Sequence, residues 1–144
     1  MNLRHRPGIN CPKCEDMILS GTKELQDQWH LLKPQFPDAH MSCVFRSEVW
    51  QNSLFKEGKT KKRWPDSKHN KLIGDKPASK AMDLFRLNER GEAEFDYEYY
   101  REIAEFFKSE GAPIRWGGDW NGDGKRNELW YDYPHFELAD GEQG

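Results

Sequence analysis

The stretch SKHNKLIGDKPASKAMDLF, residues 67–85, decides how this chain is read. Its end opens an apolar run from Ala81 to Leu87 that reads as a strand, with Met82, Leu84 and Phe85 available for burial. Asp83 stands inside that run. A carboxylate carried into an apolar layer needs a partner, and either a divalent cation or an Arg or Lys side chain meets the need. His69 lies upstream, within a polar connection spanning 59–80. Connections this long without structure of their own are uncommon in compact domains and tend to be functional.

Elements of both kinds surround this stretch. Residues 22–32 place Leu25, Trp29 and Leu32 on one helical face, with Thr22 as the cap and Pro34 and Pro37 beyond the end. Met41 to Arg46 alternates weakly and reads as a short strand. Ser47 then caps a helix to about Phe55 whose apolar residues are Val49, Trp50 and Leu54, closed by Gly58. Phe95 to Lys108 is the clearest helix, with Tyr99, Ile103, Phe106 and Phe107 as its stripe. Ile114 to Trp116 and Pro134 to Leu138 are short strands separated by a Gly- and Asp-rich loop. Helices alternating with short strands predict an α+β fold with a small antiparallel sheet flanked by helices.

The length of 144 residues suits one domain, with an N-terminal helical segment over about 1–38 and a core over about 40–138. Only 35% of residues are hydrophobic and 33% are charged, but six Trp, five Tyr and eight Phe supply large areas for burial. The formal charge of −3 argues against a general nucleic-acid binder. No apolar run approaches the ~18 residues that membrane insertion requires. The first residues, Met-Asn-Leu-Arg-His-Arg-Pro, lack the apolar stretch of a secretory signal, so cytoplasmic residence is expected. Three cysteines do not describe a disulfide framework.

A second segment matters as much as the first: Asp132-Tyr133-Pro134-His135-Phe136-Glu137-Leu138. Taken with His69 and Asp83, it supplies two imidazoles and a carboxylate, with a further carboxylate nearby. Three such ligands leave the fourth tetrahedral position of zinc to water, as hydrolytic zinc sites require. Against this, a lone His at a strand start is more often structural, and Asp83 could pair with a basic side chain.

Four ordered motifs carry a resemblance: Ser67-x-His69, Ala81-x-Asp83, Trp116-Gly117-Gly118-Asp119-Trp120 and Asp132-x-Pro134-His135-Phe136. They resemble the zinc D-Ala-D-Ala peptidase superfamily, which includes L-alanyl-D-glutamate endopeptidases of bacteria and phage lysins, and vancomycin-resistance dipeptidases. Phe45-Arg46-Ser47 with Gln51, and Gly58-Lys59, also look like theirs, so the resemblance covers about residues 40–138. It implies the α+β fold shared by these peptidases and Hedgehog signalling domains. It implies His69, Asp83 and His135 as zinc ligands, Asp132 as general base, Arg46 as the oxyanion or substrate-positioning group, and Ser67 as support for the first ligand or a substrate contact. One departure is the spacing, since thirteen residues separate His69 from Asp83. The insert Lys71 to Pro77 is expected to bulge as a loop beside the cleft.

The activity implied is hydrolysis of peptide bonds in bacterial peptidoglycan, at an L-alanyl-D-glutamate bond, by a monomeric phage lysin that reaches the wall after release from the host cytoplasm. The alternatives are a D-Ala-D-Ala carboxypeptidase or dipeptidase and a non-catalytic zinc-containing, wall-binding module. The expected partners are stem peptides of peptidoglycan.

Two further metal sites are expectations of the sequence. Asp119, Asn121 and Asp123, with Gly at the sixth position, match the first half of an EF-hand calcium loop, although Trp130 stands where a bidentate Glu belongs. An Asp/Gly-rich turn without calcium is the plain alternative. Cys11 and Cys14, with His40 and Cys43, form two pairs of soft ligands that could close a structural zinc site. Lys59 to Arg63 is a basic run that reads as a solvated loop face.

Overall fold

The computed structural model describes residues 3–120, 122 and 131–139. The helices are α1 (Pro12–Ile18), α2 (Lys23–Leu32), α3 (Glu48–Lys56) and α4 (Tyr97–Ser109), and a single 3₁₀ turn spans Lys68–Asn70. The strands are β1 (Ala39–Cys43), β2 (Leu72–Ile73), β3 (Lys76–Pro77), β4 (Ala81–Leu87), β5 (Ala93–Glu94), β6 (Ile114–Trp116) and β7 (His135–Leu138). The main sheet runs β1-β4-β7-β6, with β5 also on β4, and every pairing is antiparallel. The α+β class and the small antiparallel sheet flanked by helices are those expected.

Two of the helices follow their sequence signals closely. Thr22 caps α2 by accepting a hydrogen bond from Leu25 N, and Leu25, Trp29 and Leu32 are fully buried. Asp96 caps α4, so the helix starts at Tyr97 and leaves Phe95 exposed, while Tyr99, Tyr100, Ile103 and Phe107 are buried. The Tyr100 hydroxyl donates to Leu84 O at 2.8 Å and ties this helix to β4. Each such large side chain contributes roughly 1.5–3 kcal/mol by leaving water.

Other elements correct the sequence reading. In α3, Val49 is 81% and Trp50 44% exposed, and the buried residue is Gln51. The helix turns a polar face inward because the Gln51 amide is needed there as a hydrogen-bonding hub, so the expected apolar face does not form. The connection 59–80 is not structureless: it holds the 3₁₀ turn and the β2–β3 hairpin in place of the expected loop at Lys71 to Pro77. Gly74 sits at φ +65 in the hairpin turn, a conformation that glycine adopts without steric cost. The short helix α1 carries no clear periodic signal in its seven residues.

Strand geometry then decides where chemistry can sit. Ala39 and Met41 of β1, Met82 and Leu84 of β4, and Phe136 and Leu138 of β7 join the helices in one apolar cluster. Alternate residues of a strand face opposite sides, so Asp83, His135 and Glu137 share the other face. The register sets Asp83 directly across from His135, and Ala81 across from Glu137.

Candidate metal centre

Asp83, His69 and His135 meet at one point. His69 Nε2 and His135 Nδ1 both lie 3.2 Å from the same oxygen, Asp83 Oδ1. The opposite nitrogens of the two rings face pure acceptors. His69 Nδ1 donates to Val44 O at 2.8 Å, and His135 Nε2 donates to Glu137 Oε1 at 2.8 Å. Each ring therefore carries a proton on its outer nitrogen, which leaves the inner nitrogen to take either a metal or a second proton. Two inner ring nitrogens and a carboxylate oxygen facing one another call for a cation between them, or for a second proton on a ring. Ligands of a tetrahedral zinc with Zn–N and Zn–O bonds of about 2.1 Å stand ~3.4 Å apart, close to the observed spacing. The donor set thus fits zinc in its identities, its tautomers and its separations.

The electrostatics agree. Burial by itself would depress the His69 pKa, but the Asp83 carboxylate overcomes it and carries the imidazole up to about 10. Burial works against the Asp83 charge as well, yet His69 and His135 hold its carboxyl well below the usual range. Such a concentration of negative charge on one oxygen favours any cation, proton or metal, placed against it.

The three candidate ligands are held by different means. β4 and β7 supply Asp83 and His135. His69 comes from the 3₁₀ turn, which Ser67 caps by accepting from His69 N while Ser67 N donates to Asn70 Oδ1 at 3.1 Å. Asn70 Nδ2 in turn reaches Arg46 O and Gln51 Oε1, and Arg46 N donates to His69 O. The Ser79 hydroxyl donates within reach of both Val44 O and Ala81 O. Arg46 extends NH1 to Gln51 Oε1 at 3.0 Å and NH2 to Asp83 Oδ2 at 3.3 Å. The salt-bridge reading of Asp83 is therefore also realised, on its second oxygen.

Asp132 stands beside this group, with the ligand atoms of Asp83, Asp132 and His135 all within 4.8 Å of one another. Burial raises its pKa, and the negative charge of Asp83 adds to the shift, which favours acceptance of a proton. Its position depends on backbone contact. Asp132 N donates to Gly117 O at 2.8 Å, and His135 N donates to Asp132 O at 3.0 Å. A Cβ on Gly117 would fall 2.1 Å from Asp132 O, and one on Gly118 would meet the Trp116 ring at 2.3 Å. Gly117 thus lets two backbones approach and sets the carboxylate, while Gly118 leaves room for the Trp116 ring.

Glu137, which sequence reasoning missed, orients His135 and is itself held by Arg115 at 2.8 Å and Lys68 at 3.2 Å. Burial opposes its charge, but the His135 hydrogen bond and these cations bring its pKa down to about 2. Two residues beyond His135 on a strand means the same face, a signal that period-two reading could have used. A cleft of about 570 Å³ opens over the centre, and Arg46, Lys59, Lys62, Lys68, Arg115 and Trp120 are among its lining residues. Lys59, Lys61 and Lys62 of the basic run are therefore part of a cleft wall as well as a solvated surface.

The remaining expected sites fare differently. Asp119 is described, its backbone bridging Trp116 and Gly122, while Asn121 and Asp123 of the calcium loop lie outside the described residues. The four residues named for a structural zinc are not gathered into one set. Cys11 and Cys14 stand with His5, Cys43 Sγ lies 3.7 Å from His69 Nδ1, and His40 directs its ring nitrogens at the carbonyls of Arg6 and Asp38. The reason is strand geometry: β1 sends Cys43 toward the sheet position opposite Asp83, away from the N-terminal arm.

No protein-family model matches the chain. Among solved structures it is similar to the Serratia marcescens L-Ala D-Glu endopeptidase ChiX, with a TM-score of 0.67 at 20% sequence identity, over 89% of this chain and 87% of that one. The likeness establishes a shared fold, the one implied by the four ordered motifs. Among the described residues, no helix is long and apolar enough to cross a membrane.

Proposed function

We propose that this protein is a zinc-dependent peptidase that cuts the stem peptides of bacterial peptidoglycan, at the L-alanyl-D-glutamate bond. The observation that carries the reading is the convergence of His69 Nε2 and His135 Nδ1 on one oxygen of Asp83, with Asp132 alongside. The bond assignment draws on the fold shared with an L-Ala D-Glu endopeptidase and on the motif resemblance.

His69, Asp83 and His135 would hold the metal, which when bound would supply Lewis acidity to water and the scissile carbonyl. Asp132 takes the proton of the attacking water and returns it to the leaving amine. Its raised pKa suits both halves of that exchange. Arg46, at the cleft and bonded to Asp83, fixes the carboxylate and contributes positive charge where the scissile carbonyl gains negative charge. Ser67 acts through the backbone of His69. The lysine- and arginine-lined cleft suits stem peptides, which carry several carboxylates. A phage lysin that meets the wall only after leaving the cytoplasm, working as a monomer, is the biological setting proposed. Calcium at Asp119, Asn121 and Asp123 would be an additional, regulatory ligand.

Mass spectrometry of purified peptidoglycan digested with zinc-loaded protein, with and without chelator, tests the reading. Stem peptides with a new N-terminal D-glutamate, absent after chelation, are expected. Release of D-alanine alone would instead make the protein a carboxypeptidase. Binding of wall fragments without any cleavage would leave only a binding module.

A further inference from the structure

We propose that His5, Cys11 and Cys14 form a second cation site, a structural zinc that fastens the N-terminal arm to β1. The two sulfurs each lie 3.5 Å from the same atom, His5 Nδ1, and the three ligand atoms fall within 4.8 Å of one another. A tetrahedral zinc with Zn–S of about 2.3 Å and Zn–N of about 2.05 Å places sulfur and nitrogen ligands ~3.6 Å apart. Both observed separations match that value. A single Nδ1 proton could serve only one sulfur, whereas a cation between the three atoms satisfies all of them.

The surroundings of the sulfurs point the same way. Arg6 N donates to Cys11 Sγ and Met41 N donates to Cys14 Sγ, each at 3.4 Å. Backbone N–H groups directed at sulfur stabilise thiolate, the form in which cysteine binds a metal. Cys11 is 2% and Cys14 0% exposed, so a thiolate here needs a cation beside it. His5 is steered by aromatic edges, its ring T-shaped to His40 at 5.5 Å and to Phe85 at 5.0 Å. His5 is only partly buried, so that side of the three ligand atoms is open to solvent.

The site differs from the four-ligand set expected from the sequence, with His5 standing in place of both His40 and Cys43. His40 serves as a brace instead, its Nε2 bonded to Arg6 O at 2.8 Å, and Cys43 belongs to the surroundings of His69. The function is mechanical. Zinc would join residues 5–14 to Met41, two positions before the strand reaches Cys43 beside the first site.

Full-length protein purified without chelator provides the test, with zinc as the probe. Two zinc ions per chain are expected in the wild type, one in Cys11→Ser/Cys14→Ser and one in His69→Ala/His135→Ala. Alkylation of each cysteine, followed separately by mass spectrometry, should slow about 100-fold for Cys11 and Cys14 when free zinc stands a hundred times above Kd. The alkylation arm uses wild-type protein and decides the matter even if the serine variant fails to fold. Equal alkylation of Cys11 and Cys14 with and without zinc, or a Cys11–Cys14 disulfide in zinc-loaded protein, would overturn the proposal. Protected cysteines with a single zinc that persists in His69→Ala/His135→Ala would uphold it while removing the zinc peptidase reading.

Discussion

Within the proposed metal centre, Asp83 and His135 are held by strand register, whereas His69 is held by a web of side chain-to-backbone bonds. The first pair sits on adjacent strands locked by a ladder that also closes the core. The third candidate ligand depends on Ser67, Asn70, Gln51 and Ser79, polar residues that are not members of the apolar cluster. The lesson is that a ligand on a sheet inherits its precision from folding itself, while a ligand on a turn needs a dedicated set of polar residues. Those residues are buried and fully engaged, so losing one strands its partners.

The sharpest probe leaves both halves intact. Asp132→Asn should lower kcat about 1,000-fold with zinc content unchanged, read by turnover and metal analysis together. Lost zinc would mean that Asp132 belongs to the ligand set instead. Gly117→Ala comes next. Its Cβ would overlap Asp132 O, and displacing the base by about an ångström should cost roughly 100-fold in kcat without releasing metal. Glu137→Gln attacks the register-held side through the orientation of His135. Zinc affinity, measured by competition with a chelating dye, should fall about 10-fold, towards the lower end of outer-ligand effects. Asn70→Ala attacks the turn-held side, where bonds to Ser67 N, Arg46 O and Gln51 Oε1 vanish together. Chemical denaturation should show a loss of about 2 kcal/mol along with weaker zinc binding. If Glu137→Gln costs as much stability as Asn70→Ala, the distinction between the two halves fails. Val49→Ser on the exposed face of α3 should change stability by about 0.5 kcal/mol or less, the level expected where nothing is packed.

The sequence made parts of this picture legible because local signals and global fold agree there. Thr22 and the Leu25, Trp29, Leu32 stripe specify α2 without help. The apolar run around Asp83 marks β4. The two imidazoles, with Asp83 and Asp132, stood out because so few chemistries need that combination. Misreadings arose where a residue serves its neighbours rather than the core. Val49 and Trp50 suggested an inward face, yet Gln51 is the buried residue of α3, since its amide bonds Arg46, Asn70 and Lys62 O. His5 drew no notice, being six residues from Cys11 and in no periodic pattern.

Composition, caps, strand alternation and the types of the ligating residues were determined by the sequence alone, because each depends on interactions within a few positions. Which histidine nitrogen faces Asp83, which cysteine joins which histidine, and how Gly117 admits Asp132 were decided only by the tertiary structure. Those matters turn on register and on contacts between segments far apart in the chain, where a shift of one strand residue would send every side chain to the opposite face.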